Sequence, residues 1–464
     1  MKITKALYTI TEYDSFVSEL FLPGCTTLPK ATFDQLEDFI LSSQTTGHGS
    51  DSPAPMELRI KRGIGKIITA KHYVGVLLLK DGTTIEILPK ICSRPEETFS
   101  VGIASSDVTS ASTGSARAAS GEAALAHTKA RTLLIDMLKT LKSSPFKNLQ
   151  SAPLEAAKLP LLEIFIQMFL TEVLRIVKQG LKCSYQLVQS NETQFKGKWK
   201  VAQHITHNYA HKERAFLEYE LYHVNRAENR LLKATLHYLY QISSSAKNKT
   251  TIKILLNEFH EVTASTHYQE DFAQCISDRT MQHYETALLW CRIFLRGKSF
   301  TPFSGSETAA ALLFPMEVLF ERYVAAKLKQ HLTGADFQVL LQDTSHHLFD
   351  EPRRQFLLKP DIVVIRNRDQ AVFLLDTKWK LLSANQRQYG ISSEDMYQMY
   401  AYQKKYQAEN VRLLYPLSPD PEFASLKPIV FRSVERQGDA AVLVEFVDLF
   451  HMEDSLARIV KGFL

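Results

Sequence analysis

Chemistry concentrates in one stretch of the chain, Lys359-Pro360-Asp361-Ile362-Val363-Val364-Ile365-Arg366-Asn367-Arg368-Asp369-Gln370-Ala371-Val372-Phe373-Leu374-Leu375-Asp376-Thr377-Lys378. Two apolar, β-branched runs flank a polar turn, the pattern of a hairpin. With the turn centred on Arg368-Asp369, facing residues carry numbers that add to 737, and Asp361 and Asp376 are such a pair. Their Cβ atoms are then expected about 5 Å apart across the strands. Facing carboxylates repel and destabilise a bare sheet. A divalent cation between them turns the repulsion into a binding site. Hard carboxylate oxygens suit Mg²⁺, which keeps several waters and accepts phosphate oxygens as further ligands. Lys378 follows Asp376 by two residues, so strand periodicity places it on the same face. An ammonium there can stabilise charge on a scissile phosphate or help deprotonate a metal-bound water, whose pKa the metal lowers. Thr377, between Asp376 and Lys378, is a further candidate contact for the metal. A strand end meeting solvent is the plain alternative for an Asp-x-Lys alone. The coincidence of Pro-Asp, a matched hairpin and Asp-x-Lys favours metal-assisted phosphodiester hydrolysis.

The elements around this stretch predict a mixed α/β frame. A helix is expected over Glu317–Leu332, strands over Phe337–Leu341, Ile362–Ile365 and Val372–Leu375, a helix over Glu394–Gln407 and a strand over Val411–Tyr415. Glu317 and Glu321 lie four apart and so share one helix face.

Upstream the composition changes by region. Residues 1–92 read as a β-rich domain. Lys66-Ile67-Ile68, then Tyr73–Leu79 and Thr84–Pro89 around Asp81-Gly82, give a strong hairpin signal. Ser, Ala, Gly and Thr dominate from Ala104 to Ala126, so residues 93–128 read as a flexible linker. Residues 129–300 read as mainly helical, with long helices at Leu161–Leu170, Asn225–Ile242 and Asp278–Leu295 and a short β segment near Gly197–Val201. Residues 301–464 form the region that carries the carboxylates. The expected fold is therefore α+β and α/β, in several domains.

The chain has 464 residues, 45% hydrophobic and 23% charged, an ordinary globular balance. Net charge is +5, which permits a nucleic-acid partner without demanding one. Cys25, Cys92, Cys183, Cys275 and Cys291 form no CxxC pair, against a zinc ribbon or a disulfide framework and in favour of buried thiols in a reducing cytoplasm. The N-terminus has no secretory h-region, and the most apolar run, Leu159–Val177, is broken by Glu163, Gln167, Glu172 and Arg175, so no membrane association is expected.

Pro360-Asp361 and Asp376-Thr377-Lys378 resemble the PD-(D/E)xK nuclease motif. In that superfamily the preceding helix often supplies another acidic metal ligand, which makes Glu321 the candidate; a solvated pair with Glu317 is the alternative. Gln398 is expected to point at the site with Tyr397 in support; the alternative is an ordinary amphipathic helix. The whole chain resembles the McrC family, the nuclease subunit of McrBC-type modification-dependent (5-methylcytosine) restriction systems. The resemblance runs over about residues 56–420. It rests on Tyr73-Val74-Gly75-Val76, Ile85-Glu86-Ile87-Leu88-Pro89-Lys90-Ile91, Gly180-Leu181-Lys182-Cys183-Ser184-Tyr185, Gly197-Lys198-Trp199 and Glu228-Asn229-Arg230-Leu231-Leu232-Lys233. The set ends with Leu375–Lys380 and Asp395–Tyr400. It implies a C-terminal restriction-endonuclease-like domain, Mg²⁺ as cofactor and double-stranded DNA with modified cytosine as substrate. It also implies an McrB-like AAA+ GTPase, a hexameric ring, as partner. The N-terminal domain of such a subunit docks on that ring and stimulates GTP hydrolysis. This chain has no G-x-x-x-x-G-K-[ST] loop, since Gly63-Ile64-Gly65-Lys66 misses that spacing, so a motor has to come from elsewhere. Arg59, Lys61, Arg62 and Lys66 are candidates to reach the ring or DNA phosphates, with a solvated hairpin rim as the alternative. A non-catalytic activator of the ring and a stand-alone restriction nuclease are the competing functions.

His204, His207 and His211 have helix-face spacing for a metal but no neighbouring Cys or acidic ligand. Tyr185, Tyr209, Tyr219 and Tyr222 could stack on flipped bases, but core packing is the expected use of most of them.

Overall fold

The computed structural model describes residues 6–19, 21–45, 54–92, 113–141, 159–275, 281–296, 309–333, 336–423, 425–433 and 440–463. The chain divides into two compact units, one of residues 1–161 and 299–464, the other of residues 162–298.

In the first unit, the Asp-Gly hairpin forms as its sequence predicts. Tyr73–Leu79 and Thr84–Leu88 pair antiparallel, and Asp81 Oδ1 accepts the Thr83 N–H at 2.8 Å to shape the turn. Leu7–Thr11 adds parallel to Thr84–Leu88. The fourth strand, Ala309–Pro315, comes from far along the chain and pairs antiparallel with Tyr73–Leu79. Its backbone approaches so closely that a Cβ on Gly75, whose φ is +135°, would stand 1.9 Å from the Leu312 carbonyl oxygen. Only glycine fits there. A second four-stranded sheet runs in the order Cys25–Leu28, Ser15–Ser18, Gly65–Ala70, Met56–Lys61. Helix Lys30–Thr45 contributes Phe33, Leu36 and Phe39 to the shared core with Phe16, Ile68, Leu77 and Leu313.

The expected separation of residues 1–92 from residues 301–464 does not hold in the fold. Ala309–Pro315 is sewn into the N-terminal sheet, and the next residue, Met316, opens helix Met316–His331. Non-local pairing of this kind leaves no trace in local periodicity.

The expected linker 93–128 is also different. Helix Thr113–Lys139 spans its second half, while residues 93–112 lie outside the described residues. Alanine is the best helix former, and the Ala-rich stretch carries that propensity even without bulky apolar residues. From this helix Arg131 reaches the fully buried Glu86. Its Nε and Nη2 donate to the two carboxylate oxygens at 2.8 and 2.7 Å. Thr9 Oγ1 and the Leu161 N–H donate to the same carboxylate, each at 3.0 Å.

The largest sheet is six-stranded, in the order Phe337–Leu341, Ile362–Arg366, Val372–Thr377, Asn410–Pro416, Ala440–Val447, Ile429–Ser433. Its centre is parallel and its two ends are antiparallel. Alternate residues Val363, Leu374, Val411, Leu413 and Val444 pack under helix Ser393–Tyr406 through Met399, Tyr402 and Tyr406. Helices Met316–His331 and Met452–Lys461 cover the opposite face. There Arg412 pairs with Glu445 at 2.6 Å and donates to the carbonyls of Ile459 and Gly462.

The second unit is helical with a sheet that local reading underestimates. Helices Leu161–Gln179, Ala227–Ile242, Ala246–Glu258, Tyr268–Gln274 and Gln282–Arg296 surround buried Phe165, Leu232, Trp290 and Phe294. The expected β segment is Lys198–Trp199, but it is the edge of a three-stranded sheet whose main strands are Ser184–Glu192 and Ala215–His223. Both strands are polar and mostly exposed or half-buried, so hydrophobic alternation is faint. Tyr185 and Tyr222 pair across them with ring centroids 4.9 Å apart. They are 68% and 61% exposed, and Tyr209 is 89% exposed, which corrects the expectation of core packing. Cys291 is buried, whereas Cys25, Cys183 and Cys275 are half-buried. Among the described residues no helix is long and apolar enough to cross a membrane.

Removing one partner of a buried, hydrogen-bonded ion pair strands the other charge, at a cost of about 3–5 kcal/mol. Glu86→Gln is therefore expected to lower the calorimetric melting temperature of the first unit by roughly 10 °C. The double change Glu86→Leu/Arg131→Met should recover most of that loss. An unshifted Glu86→Gln transition would show that the pair contributes nothing.

Candidate active site

Strand register brings the two acids together. Ile362 faces Leu375, Val363 faces Leu374 and Ile365 faces Val372, all on the 737 register. Continued by one residue, this register sets Asp361 opposite Asp376. Both belong to the face under helix Ser393–Tyr406, at the end of the sheet where that helix begins.

Each carboxylate is held differently. Asp361 Oδ2 accepts the Thr377 N–H and the Thr377 hydroxyl, both at 2.7 Å. Thr377 thus orients an acid on the neighbouring strand, and its hydroxyl is committed to that acid. Asp376 is 3% exposed. Its Oδ2 lies 2.9 Å from Lys378 Nζ, but off the direction of a hydrogen bond, so this buried oxygen accepts none among the described residues. Lys378 Nζ also donates to Gln398 Oε1 at 3.3 Å and lies 3.6 Å from Asp395 Oδ1. Gln398 Nε2 in turn donates to the Tyr402 hydroxyl at 2.8 Å. Ser392 caps this helix by accepting the Asp395 N–H at 3.1 Å.

Burial and mutual repulsion set the charges. Burial first, then the neighbouring Asp361 charge, holds the Asp376 carboxyl up to about 7. Asp361 is also raised by burial, against the opposing hydrogen bonds from Thr377. Burial alone would lower the Lys378 pKa, but the Asp376 charge overrides it and the ammonium is held above its usual range. Glu321 is raised by burial and then by Asp361.

These groups open into one cleft of about 640 Å³. Glu317 and Glu321 both line it, as their shared helix face predicts. Gln342 ties Glu321 to the site: its Nε2 donates to Glu321 Oε1 at 2.7 Å and its N–H donates to the Asp361 carbonyl at 2.9 Å. Of the expected pair Tyr397 and Gln398, only Gln398 faces the cleft; Tyr397 is 73% exposed. Sequence reasoning missed Asp395, Gln342 and Tyr402, and it missed Tyr13 and Lys90, which reach the cleft from the N-terminal segment. The Leu88-Pro89-Lys90 strand end was the available signal for Lys90.

The donor set fits a hard divalent cation. A buried Asp376 oxygen lacks a hydrogen bond, and two carboxyls next to each other are held above their ordinary range. Among the described residues, no three His, Cys, Asp or Glu side chains group closely enough to form a protein cage by themselves. Glu321 lines the cleft without completing such a group. Mg²⁺ does not need one, since it binds through one or two carboxylates and keeps waters. The three histidines of the second unit are engaged separately. His204 contacts Asn208, His207 stacks on Phe216 and His211 pairs with Glu213.

A model of the McrBC 5-methylcytosine restriction system component family matches residues 68–416. The chain belongs to this McrBC family. The matched span contains every cleft-lining residue except Tyr13. No curated protein matches the chain. Its fold is similar to that of a chain in an assembly of Thermococcus gammatolerans McrB AAA+ hexamers with bound McrC. The TM-score is 0.67 and the identity 17%, over 99% of this chain and 100% of that one. The Thermococcus gammatolerans McrBC complex determined by cryo-EM also aligns, with TM-score 0.47 and 17% identity, over 70% of this chain and 88% of that one.

The raised Asp376 pKa has a stability consequence within this McrBC-family fold. A carboxyl near 7 when folded and near 3.8 when unfolded binds its proton more tightly in the folded state. Stability contributed by that proton is present below about 3.8 and is lost as pH rises through the window to about 7. In metal-free buffer Asp376→Asn is therefore expected to melt higher than the unsubstituted chain at about pH 8. The advantage should shrink as pH falls toward 4. Parallel melts across the window test this; an advantage that grows with acidity would contradict it.

Proposed function

We propose that this chain is the Mg²⁺-dependent endodeoxyribonuclease subunit of a modification-dependent restriction system, acting in the cytoplasm on double-stranded DNA that carries 5-methylcytosine. We further propose that it docks on an McrB-like AAA+ hexameric ring and stimulates its GTPase. The observation that carries the nuclease reading is the convergence of Asp361, Asp376 and Lys378 on one cleft. Family membership and the overall likeness to the McrB–McrC assembly support the partner reading. We read the six-stranded mixed sheet, with helices on both faces, as a PD-(D/E)xK domain.

In this mechanism Asp361 and Asp376 would hold the cation, and Thr377 keeps Asp361 aimed by two short hydrogen bonds. When bound, Mg²⁺ polarises the scissile phosphate and acidifies a coordinated water. Lys378 places its positive charge beside the phosphate oxygens, where negative charge grows in the transition state. Gln398 and Asp395 restrict where that ammonium can point. Glu321 and Glu317 line the same cleft and add to its negative charge.

The partner reading and the nuclease reading separate experimentally. The purified chain is incubated with methylated and unmethylated duplex, with and without GTP and the AAA+ protein. Asp376→Ala is expected to abolish cleavage while leaving ring binding and GTPase stimulation intact. Lys378→Ala should lower kcat by about 10²–10³. Undiminished cleavage by Asp376→Ala would overturn the assignment. In the absence of DNA, Mg²⁺ is expected to raise the melting temperature of the unsubstituted chain but not that of Asp361→Asn, as ligand linkage requires.

A further inference from the structure

The N-terminal sheet sends one cation into the cleft. Lys90 opens a 3₁₀ turn, Lys90–Cys92, directly after strand Thr84–Leu88 and Pro89. Its backbone N–H donates to Glu12 Oε2 at 3.1 Å. Its ammonium lies 4.7 Å from the centre of the Tyr13 ring and 5.8 Å from that of Trp379. Glu12 is 3% exposed and accepts the Trp379 indole N–H at 3.0 Å from each carboxylate oxygen. The Glu12 N–H itself donates to the Leu88 carbonyl at 3.1 Å, so this acid is part of the strand pairing beside Lys90. Trp379 is the residue after Lys378. One buried carboxylate therefore ties the end of the N-terminal sheet to the end of the strand that carries Asp376.

Lys90 differs from the other lysines of the cleft. Lys378 is paired with Asp376, Lys380 donates to the Gly390 carbonyl, and Lys359 is exposed. Lys90 is half-buried, lies between two aromatic rings and has no carboxylate oxygen within 4.0 Å among the described residues. Aromatic faces hold a cation without neutralising it. Glu12 and Glu317 act on its charge only from beyond that distance, and an ammonium held in this way can recognise a phosphate as a point charge.

We propose that Lys90 is a substrate-binding residue of this cleft, contacting a phosphodiester next to the scissile one, and that Glu12 is the positioning residue that fixes it. This rests on the nuclease reading above. The N-terminal sheet is then part of the DNA-binding cleft as well as a structural neighbour of it.

The test uses the full chain and a fluorescein-labelled DNA duplex of about 20 base pairs, with binding read by anisotropy in EDTA over a salt series. Loss of one phosphate contact reduces the slope of log K against log salt by about 0.9. Lys90→Gln is expected to show that reduction and to weaken binding about tenfold at roughly 0.1 M salt. Lys90→Arg should restore the slope, which a merely structural role would not predict. Glu12→Gln replaces an acceptor with a donor facing the indole and Lys90 N–H groups, and should weaken binding by releasing Lys90 from its position while leaving its ammonium in place. An unchanged slope in a folded Lys90→Gln protein would overturn the contact, and unchanged binding by Glu12→Gln would overturn its positioning role. Cleavage assays in Mg²⁺ with GTP and the AAA+ protein keep the two readings apart. A chain that cuts but shows no Lys90 effect loses only this proposal. A chain that shows the Lys90 effect but never cuts keeps the phosphate contact and loses the nuclease.

Discussion

Two carboxylates on neighbouring strands repel, and their burial under a helix makes the repulsion stronger because little water screens it. The rest of the site is organised around that unfavourable pair. Thr377 satisfies one acid with two donors, leaving the other with a lysine beside it but no hydrogen bond to one buried oxygen. Asp376 relieves part of the strain by holding its proton up to about 7. A sheet evolved only for stability gains nothing from placing two repelling acids side by side. Apposed acids are kept where a cation or a proton has work to do between them.

Holding such a pair demands a rigid frame, and the chain builds one from segments far apart in sequence. Ala309–Pro315 joins the N-terminal sheet and continues directly into the helix that bears Glu317 and Glu321. Gly75 permits the close backbone approach that this pairing needs. Glu86 locks Arg131, Thr9 and the Leu161 backbone to the same sheet. Glu12 does the equivalent at the cleft, joining Lys90 to Trp379. Buried acids thus differ in their surroundings: Glu86 is encircled by donors that bind it into the fold, whereas one buried oxygen of Asp376 is left without a hydrogen bond, as the proposed cation site requires.

What was legible in the sequence follows the range of the interaction. The hairpin register between Ile362 and Leu375 is local, and counting from the Arg368-Asp369 turn located it. Asp361, Asp376 and Lys378 could be placed together because strand periodicity is fixed by backbone geometry. The Glu317 and Glu321 face was readable for the corresponding reason in a helix. Helix Thr113–Lys139 was misread because composition was weighed as lack of burial, when alanine propensity pulled the other way. Strands Ser184–Glu192 and Ala215–His223 were hidden because their exposed aromatic residues break the usual apolar alternation. Tyr13 and Lys90 could not be assigned to the cleft, since no local rule connects residue 90 to residue 379.

That last gap also explains why the motif alone understates the site. Asp361, Asp376, Asp395, Glu317 and Glu321 give the cleft a strongly acidic lining, which Lys378 offsets only in part from its place beside Asp376. Such a lining attracts a divalent cation and repels a polyanion. A DNA backbone can settle there only if further positive charge stands close by without being paired off. On the proposal made above, Lys90 supplies such charge from another sheet, its backbone fixed by Glu12 and its ammonium lying against two rings. On the proposed reading, the cleft draws on both ends of the chain for opposite electrostatic reasons: the C-terminal segment would hold the cation and the N-terminal segment would meet the anion that approaches it.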